Sequence, residues 1–419
     1  CSRDWSSDVC SSDLIRIAIS SATAFLDPQL TMFKFTFKNT SGGDARLDGS
    51  AHSIIKSLKI TSRSGGGAVE EIKDYANLCN ILADIQYNPS KRFSLKSAEG
   101  FGDAGCGFTP AVAAQAAPAQ GQPVAAGAQD GAPAITSLQF GTGEISLANN
   151  GSYTFCIPLL LSSLLGMMQQ KYIPLFLTQQ LDLELELNPN CLFGANAPNF
   201  EVTGVELHTQ LVEFSGELNL RLQQMQAQSG IYIHGTSWYG YTYGLADGVT
   251  TIQVAERLKS VKSLLLSFSL PRGNTYTNRA LGRVARNISS FQVKAGSDWF
   301  PAQAIVGDAK TASNCSEYLQ EMYKAVGEYG NVLNKGIING LNFIKDDASD
   351  ALNVGRAVYG LDLDAFHKAP LESGVNMVLN NPMLIQWSSG GFTACEAHMY
   401  LLHDVVYAIK PDSSFVASK

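Results

Sequence analysis

Acid–base and metal chemistry need His, Cys, Asp and Glu side chains brought within a few ångströms of one another, so the histidines come first. The chain of 419 residues holds six of them, His52, His208, His234, His367, His398 and His403. They are scattered. Their nearest acidic company is Glu206 beside His208 and Glu396 beside His398, each pair at i and i+2 and so on one face of a strand. Either pair is half of a metal or acid–base site, but neither has a third group nearby in sequence. An interface or a solvated face is the expectation for both. Asp182, Glu184 and Glu186 form a second candidate, a row of hard oxygen ligands for a divalent cation at a subunit boundary. A solvated face, or one that meets basic partners, is favoured over ion binding there.

Short motifs add little chemistry. Gly235-Thr236-Ser237-Trp238-Tyr239 lacks the closing glycine of a nucleophile elbow and sits in an aromatic strand pattern, where no strand-to-helix turn is expected. Gly65-Gly66-Gly67 precedes a helical pattern but lacks the Lys-Ser/Thr ending of a phosphate loop, so it reads as a turn. With Cys1 and Cys10 set aside, Cys79, Cys106, Cys156, Cys191, Cys315 and Cys395 remain. None forms C-x-x-C, and buried free thiols in a reducing compartment are expected. The sequence assigns no catalytic, cofactor-binding or metal-binding residue, and an enzyme is not expected.

The elements are more legible than the chemistry. Within Cys156–Asn190, the run Leu181–Leu187 places a leucine at every second position, with the three carboxylates between them. Side chains alternate across a strand, so four leucines face a core and three acids face away. Thr31–Lys38 repeats the pattern, with Phe33, Phe35 and Phe37 on one face. Further strands are expected at Ile15–Ser20, Ile54–Ser62, Phe200–Phe214, Gly230–Tyr243, Ile252–Glu256, Ser263–Pro271, Ser289–Lys294, Met383–Trp387 and Thr393–Ile409. Ala351–Leu363 and Val375–Leu379 are further candidate segments. Helical spacing is read over Val69–Asp84, Ser215–Gln228 and Ser316–Val326.

Composition bounds the architecture. A chain this long exceeds one ordinary core, so two domains are the default. Cys1–Leu14 resembles a translated sequencing adapter and is expected to lie outside the fold, with the true N-terminus lost. Setting aside its Arg3, Asp4, Asp8 and Asp13 moves the formal charge from −7 to −5. A mildly acidic body gives no basic stripe for nucleic acid, so genome contact is at most indirect. Charged residues make up 16% of the chain, against about 25% in an average soluble domain. Neutral surface of that kind suits subunit contacts. The longest nearly apolar run, Cys156–Met168, is shorter than the roughly 20 residues of a membrane span.

Residues 102–133, rich in Ala, Gly, Pro and Gln, read as a long loop or tower inserted into the first half. Glu206-Leu207-His208 with Leu211-Val212 recurs as Glu396-Ala397-His398 with Leu401-Leu402, which suggests duplication. The expected organisation is a first β-unit at 15–214, a connector at 215–229 and a second β-unit at 230–419.

Four features carry a family resemblance. They are Phe25-Leu26-Asp27-Pro28 before the Phe-rich strand, Glu70–Asp84 (EEIKDYANLCNILAD), Leu164–Leu187, and the second-half pieces Val261–Leu270, Trp299-Phe300-Pro301-Ala302-Gln303 and Glu372-Ser373-Gly374. Together they resemble the double jelly-roll major capsid proteins of polinton-like viruses, virophages and larger DNA viruses. The resemblance implies an all-β fold of two tandem eight-stranded jelly rolls with a few short helices in loops. It also implies homotrimers acting as pseudo-hexameric tiles of an icosahedral shell. Neighbouring capsomers, and penton and minor capsid proteins, would be the partners, in a virion assembled in the host cytoplasm or nucleus. A coat protein of an RNA virus, a β-sandwich carbohydrate-binding protein that stacks sugars on Trp238–Tyr243, and a hydrolase on a jelly-roll scaffold are the competing readings.

Overall fold

The computed structural model describes residues 2–7, 14–64, 67–101, 108–112, 135–140, 146–169, 171–193, 199–270, 282–307, 314–327, 336–345, 355–364, 373–378 and 383–418. Eight strands of the first half build two sheets: β1 (Ser2–Ser7), β2 (Leu14–Ile19), β3 (Phe25–Asn39), β4 (Ile55–Ser62), β5 (Ala68–Ile72), β6 (Ser152–Pro158), β7 (Leu181–Leu187) and β8 (Phe200–Val212). One sheet has the order β1-β8-β3-β6 and the other β2-β7-β4-β5, with antiparallel neighbours throughout. Apart from the β4–β5 hairpin, each pairing joins strands distant in sequence, and the chain crosses between sheets at nearly every connection. That is the double Greek key of a jelly roll.

The second half repeats this order strand for strand. Its elements are β9 (Ile231–Leu245), β10 (Thr251–Val254), β11 (Val261–Ser269), β12 (Ile288–Ala295), β13 (Asp298–Val306), β14 (Tyr359–Asp362), β15 (Met383–Ser389) and β16 (Cys395–Ile409). The sheets run β9-β16-β11-β14 and β10-β15-β12-β13. Adding eight to each strand number of the first half gives the second. The Glu-x-His repeat falls on β8 and β16, the last strand of each unit, so the duplication suggested by the sequence is a duplication of position in the fold.

Burial follows the alternation. Leu181, Leu183 and Leu185 of β7 and Phe33, Phe35 and Phe37 of β3 are fully buried, facing each other across the first sandwich. The opposite faces carry the ions. In both units the connection between the fifth and sixth strands holds helices. In the first these are α1 (Tyr75–Gln86) and α2 (Pro89–Glu99); in the second, α4 (Ser316–Ala325). Helix α3 (Gly216–Ser229) joins the units. Helix α2 has a complete set of end signals: the Asn88 side chain accepts from the Lys91 N–H at 2.7 Å, Pro89 opens the helix, and Gly100 closes it at φ 71°.

Three sequence expectations need correction, and one strand, Asp298–Val306, had no sequence expectation. Val69–Asp84 is not one helix: Ala68–Ile72 is β5 and helix begins only at Tyr75, because pairing with β4 claims the first five residues. Asp298–Val306 is a strand despite Pro301, since β13 is a sheet edge where a missing N–H costs no ladder bond. Val375–Leu379 yields only an isolated bridge at Val375 to Val261. Ser2–Ser7, expected outside the fold, pairs with Val205–Gln210 of β8 as the first strand of the first unit. The edge of β8 offers unpaired backbone groups that any extended segment can satisfy. Of the 102–133 insertion, Phe108–Val112 forms a two-stranded ribbon with Ile135–Phe140, and the rest lies outside the described residues.

Candidate functional site: a polar seam between the two units

Glu70–Asp84 supplies three carboxylates, Glu70 and Asp84 buried and Asp74 half-buried, and each is engaged by the second unit. Glu70 lies on β5, where the register with β4 shifts beside Val69. Such a bulge re-aims side chains, and here Val69 and Glu70 are both buried. Glu70 accepts from the Ser162 hydroxyl at 2.7 Å, the Ser163 and Leu164 N–H groups at 2.6 and 3.2 Å, and the Ser237 hydroxyl of β9 at 3.2 Å. Burial pushes its carboxyl up, against the pull of those donors.

Asp74 stands just before α1, where a carboxylate ordinarily caps the helix. It makes no cap bond and adopts φ 53°, a left-handed conformation disfavoured for a residue with a Cβ. Its side chain turns instead to β16, to His398 Nδ1 at 2.8 Å and to the Tyr400 hydroxyl. His398 Nε2 lies 2.8 Å from Ser269 Oγ at the end of β11. Ser269, His398 and Asp74 thus stand in the order of a catalytic triad. Two observations argue for a structural ion pair. Ser269 is only 3% exposed, so no substrate carbonyl reaches its oxygen. Burial lowers the imidazole, but Asp74 opposes it more strongly and the net direction is up. That direction favours the charged imidazole, which donates from both nitrogens and leaves Ser269 as an acceptor rather than an activated nucleophile. Asp74 itself is held below the usual carboxylate range despite burial, chiefly by His398.

Asp84, near the end of α1, is fully buried and meets three guanidinium groups. Arg92 of α2 donates to Oδ1, while Arg283 and Arg356 of the second unit donate to Oδ2. Burial alone would raise the carboxyl, but Arg356, Arg92 and Arg283 hold it far below its ordinary range. Backbone closeness completes the seam. A Cβ on Gly240 of β9 would sit 2.8 Å from the Lys73 carbonyl, and one on Gly336 would sit 2.1 Å from the Ile85 carbonyl. Only glycine allows that approach.

Most of the charged residues singled out in the sequence pair within the first unit. Glu184 pairs with Arg16 at 2.7 Å and Lys59 at 3.8 Å, Glu186 with Lys56 at 2.6 Å, and Asp182 with Arg63 at 3.8 Å. The β7 carboxylates meet basic side chains of the flanking strands. Glu206 binds Lys34 and His208 at 2.9 and 2.8 Å on an open face. The equivalent His398 is buried, and its third group arrives from Asp74, 324 residues away, which sequence spacing could not reveal. His52 pairs with Glu99 at 3.0 Å inside the first unit. Burial lowers this imidazole, but Cys79 and Glu99 raise it to about 10. His234 is half-buried on β9 and His403 is buried on β16. His367, Cys106, Gly65, Gly66 and Glu372 lie outside the described residues. Trp238 is buried and only Tyr241 of the aromatic run is well exposed, so the run does not form the sugar-stacking platform. Cys79, Cys191, Cys315 and Cys395 are buried and Cys156 is half-buried. Among the described residues, no three His, Cys, Asp or Glu side chains are grouped to hold a metal ion, and no helix is long and apolar enough to cross a membrane.

Two tandem units of identical strand order, joined by a buried polar seam, define a double jelly roll. The chain is similar in fold to solved viral capsid proteins over its whole length. It covers 100% of this chain and 96% of that chain in the capsid of PBCV-1, with 11% identity and a TM-score of 0.57. For the Sputnik virophage the shares are 100% and 88%, at 14% identity and a TM-score of 0.53. For the Faustovirus major capsid protein they are 97% and 89%, at 10% identity and a TM-score of 0.55. No protein-family model matches the sequence, and no curated protein matches it either.

Proposed function

We propose that this chain is a major capsid protein, a structural subunit and not an enzyme, which forms homotrimers that tile an icosahedral virus shell. The observation that carries the reading is the strand-for-strand repetition of one jelly roll within a single chain. Three copies of such a pair present six similar barrels around one axis, a near-hexagonal tile that closes by symmetry. The first unit spans 15–214 together with the Ser2–Ser7 strand that pairs onto β8, the connector 215–229 and the second unit 230–419. The full-length likeness to the PBCV-1, Sputnik and Faustovirus proteins supports the shell role.

The seam fits this task. A tile must hold its two barrels at a fixed angle, or the lateral contacts of neighbouring tiles fall out of register. Three carboxylates from one short segment, each gripped by the second unit, set that angle through directional bonds that apolar packing alone does not provide. Self-contact in the trimer and with neighbouring capsomers, and contact with penton and minor capsid proteins, belong to the same reading. So do a place in the virion, assembly in the host cytoplasm or nucleus, and at most indirect contact with the genome.

Light scattering on purified protein tests the oligomer. The expected mass is three times the 45.0 kDa of the chain. A monomer that stays monomeric at high concentration and in the presence of divalent salts contradicts the proposal.

A further inference from the structure

A cavity of about 300 Å³ opens beside the seam. Its walls come from both units: Leu82 and Ala83 of α1, Leu161 and Met168 of the loop after β6, Trp238 of β9 and Leu402 of β16. These are apolar groups, and two methionines, Met167 and Met168, line one side. Thioether chains adapt to the shape of an occupant. The rim is different. Lys91, on the first turn of α2, is exposed and sits with Nζ 3.7 Å from the centre of the Tyr87 ring. No carboxylate lines the cavity, and Lys91 has no ion-pair partner among the described residues. The three arginines described at the seam, Arg92, Arg283 and Arg356, are all bound to Asp84.

We propose that this cavity binds an aliphatic carboxylate, with its alkyl chain among the apolar walls and its carboxylate at Lys91. The cavity volume lies at the lower end of the range for small-molecule sites, which suits a chain of about eight to ten carbons. The cation selects the head group by charge, and the Tyr87 ring holds the ammonium at the mouth. The geometry asks nothing of the assembled state, so the site belongs to the single chain and stands apart from the shell reading.

Calorimetry and thermal melts of the purified full-length protein with decanoate test this, with decanol and acetate as controls. Decanoate is expected to bind saturably, at one site per chain, and to raise the melting temperature. Acetate is expected to do neither. Decanol should bind about three- to fivefold more weakly, the scale of one exposed ion pair. Lys91→Gln, a change at an exposed side chain, should bring decanoate down to the affinity of decanol and leave decanol unchanged. Met168→Trp should fill the cavity and remove binding of both. Absence of saturable decanoate binding overturns the proposal. So does binding that Lys91→Gln and Met168→Trp both leave unchanged, because the ligand then sits elsewhere.

Discussion

Asp84 neutralises arginines that are largely withdrawn from water, and this makes it the residue whose loss should be felt most. Removing one partner of a buried ion pair leaves the other charged and desolvated, at about 3–5 kcal/mol. Asp84→Asn is therefore expected to cost that much in chemical denaturation, while Glu184→Gln on the half-open face of β7 should cost no more than about 1 kcal/mol. The Asp74–His398 pair gives a pH signature. Asp74 is lowered in the folded chain, so its share of stability is present above about pH 4 and fades as pH falls through the folded value. His398 is raised, so its share is present below about pH 6.5 and fades as pH rises through its folded value. Melting temperatures measured across pH should show the alkaline decline shrink in His398→Gln. An unchanged alkaline limb would place its origin elsewhere, His52 being the other raised imidazole.

At the scale of elements, the leucine face of β7 is central to the first sandwich, flanked by β2 and β4. Leu183→Ala is expected to destabilise by about 2–5 kcal/mol through the cavity it leaves. Gly240→Ala forces a methyl toward the Lys73 carbonyl, and overpacking of this kind costs about 1–3 kcal/mol. Strands with strict alternation, such as β3 and β7, were legible in the sequence because their period reports directly on one buried face. β5 and β13 were not. The first is five residues long with both Val69 and Glu70 buried, and the second has mostly exposed side chains and a proline. The seam was legible only in part. Glu70–Asp84 stood out as a segment, but its acids find their second-unit partners 167 to 326 residues away, and local spacing carries no trace of such pairs.

For the whole molecule, the duplication ties these scales together. Two units with one strand order have two versions of every surface, so a trimer can repeat similar contacts six times around its axis. The charge-poor composition leaves neutral surface for those contacts. The seam keeps the barrels aligned, and its Asp84→Asn variant should therefore assemble less well even where each barrel still folds. The most direct measurement is cryo-electron microscopy of the purified, assembled protein. Trimers with six upright barrels are expected, the two barrels of each chain joined along Glu70–Asp84. Particles in which the chain is a lone monomer, or in which those two barrels lie apart, would contradict it.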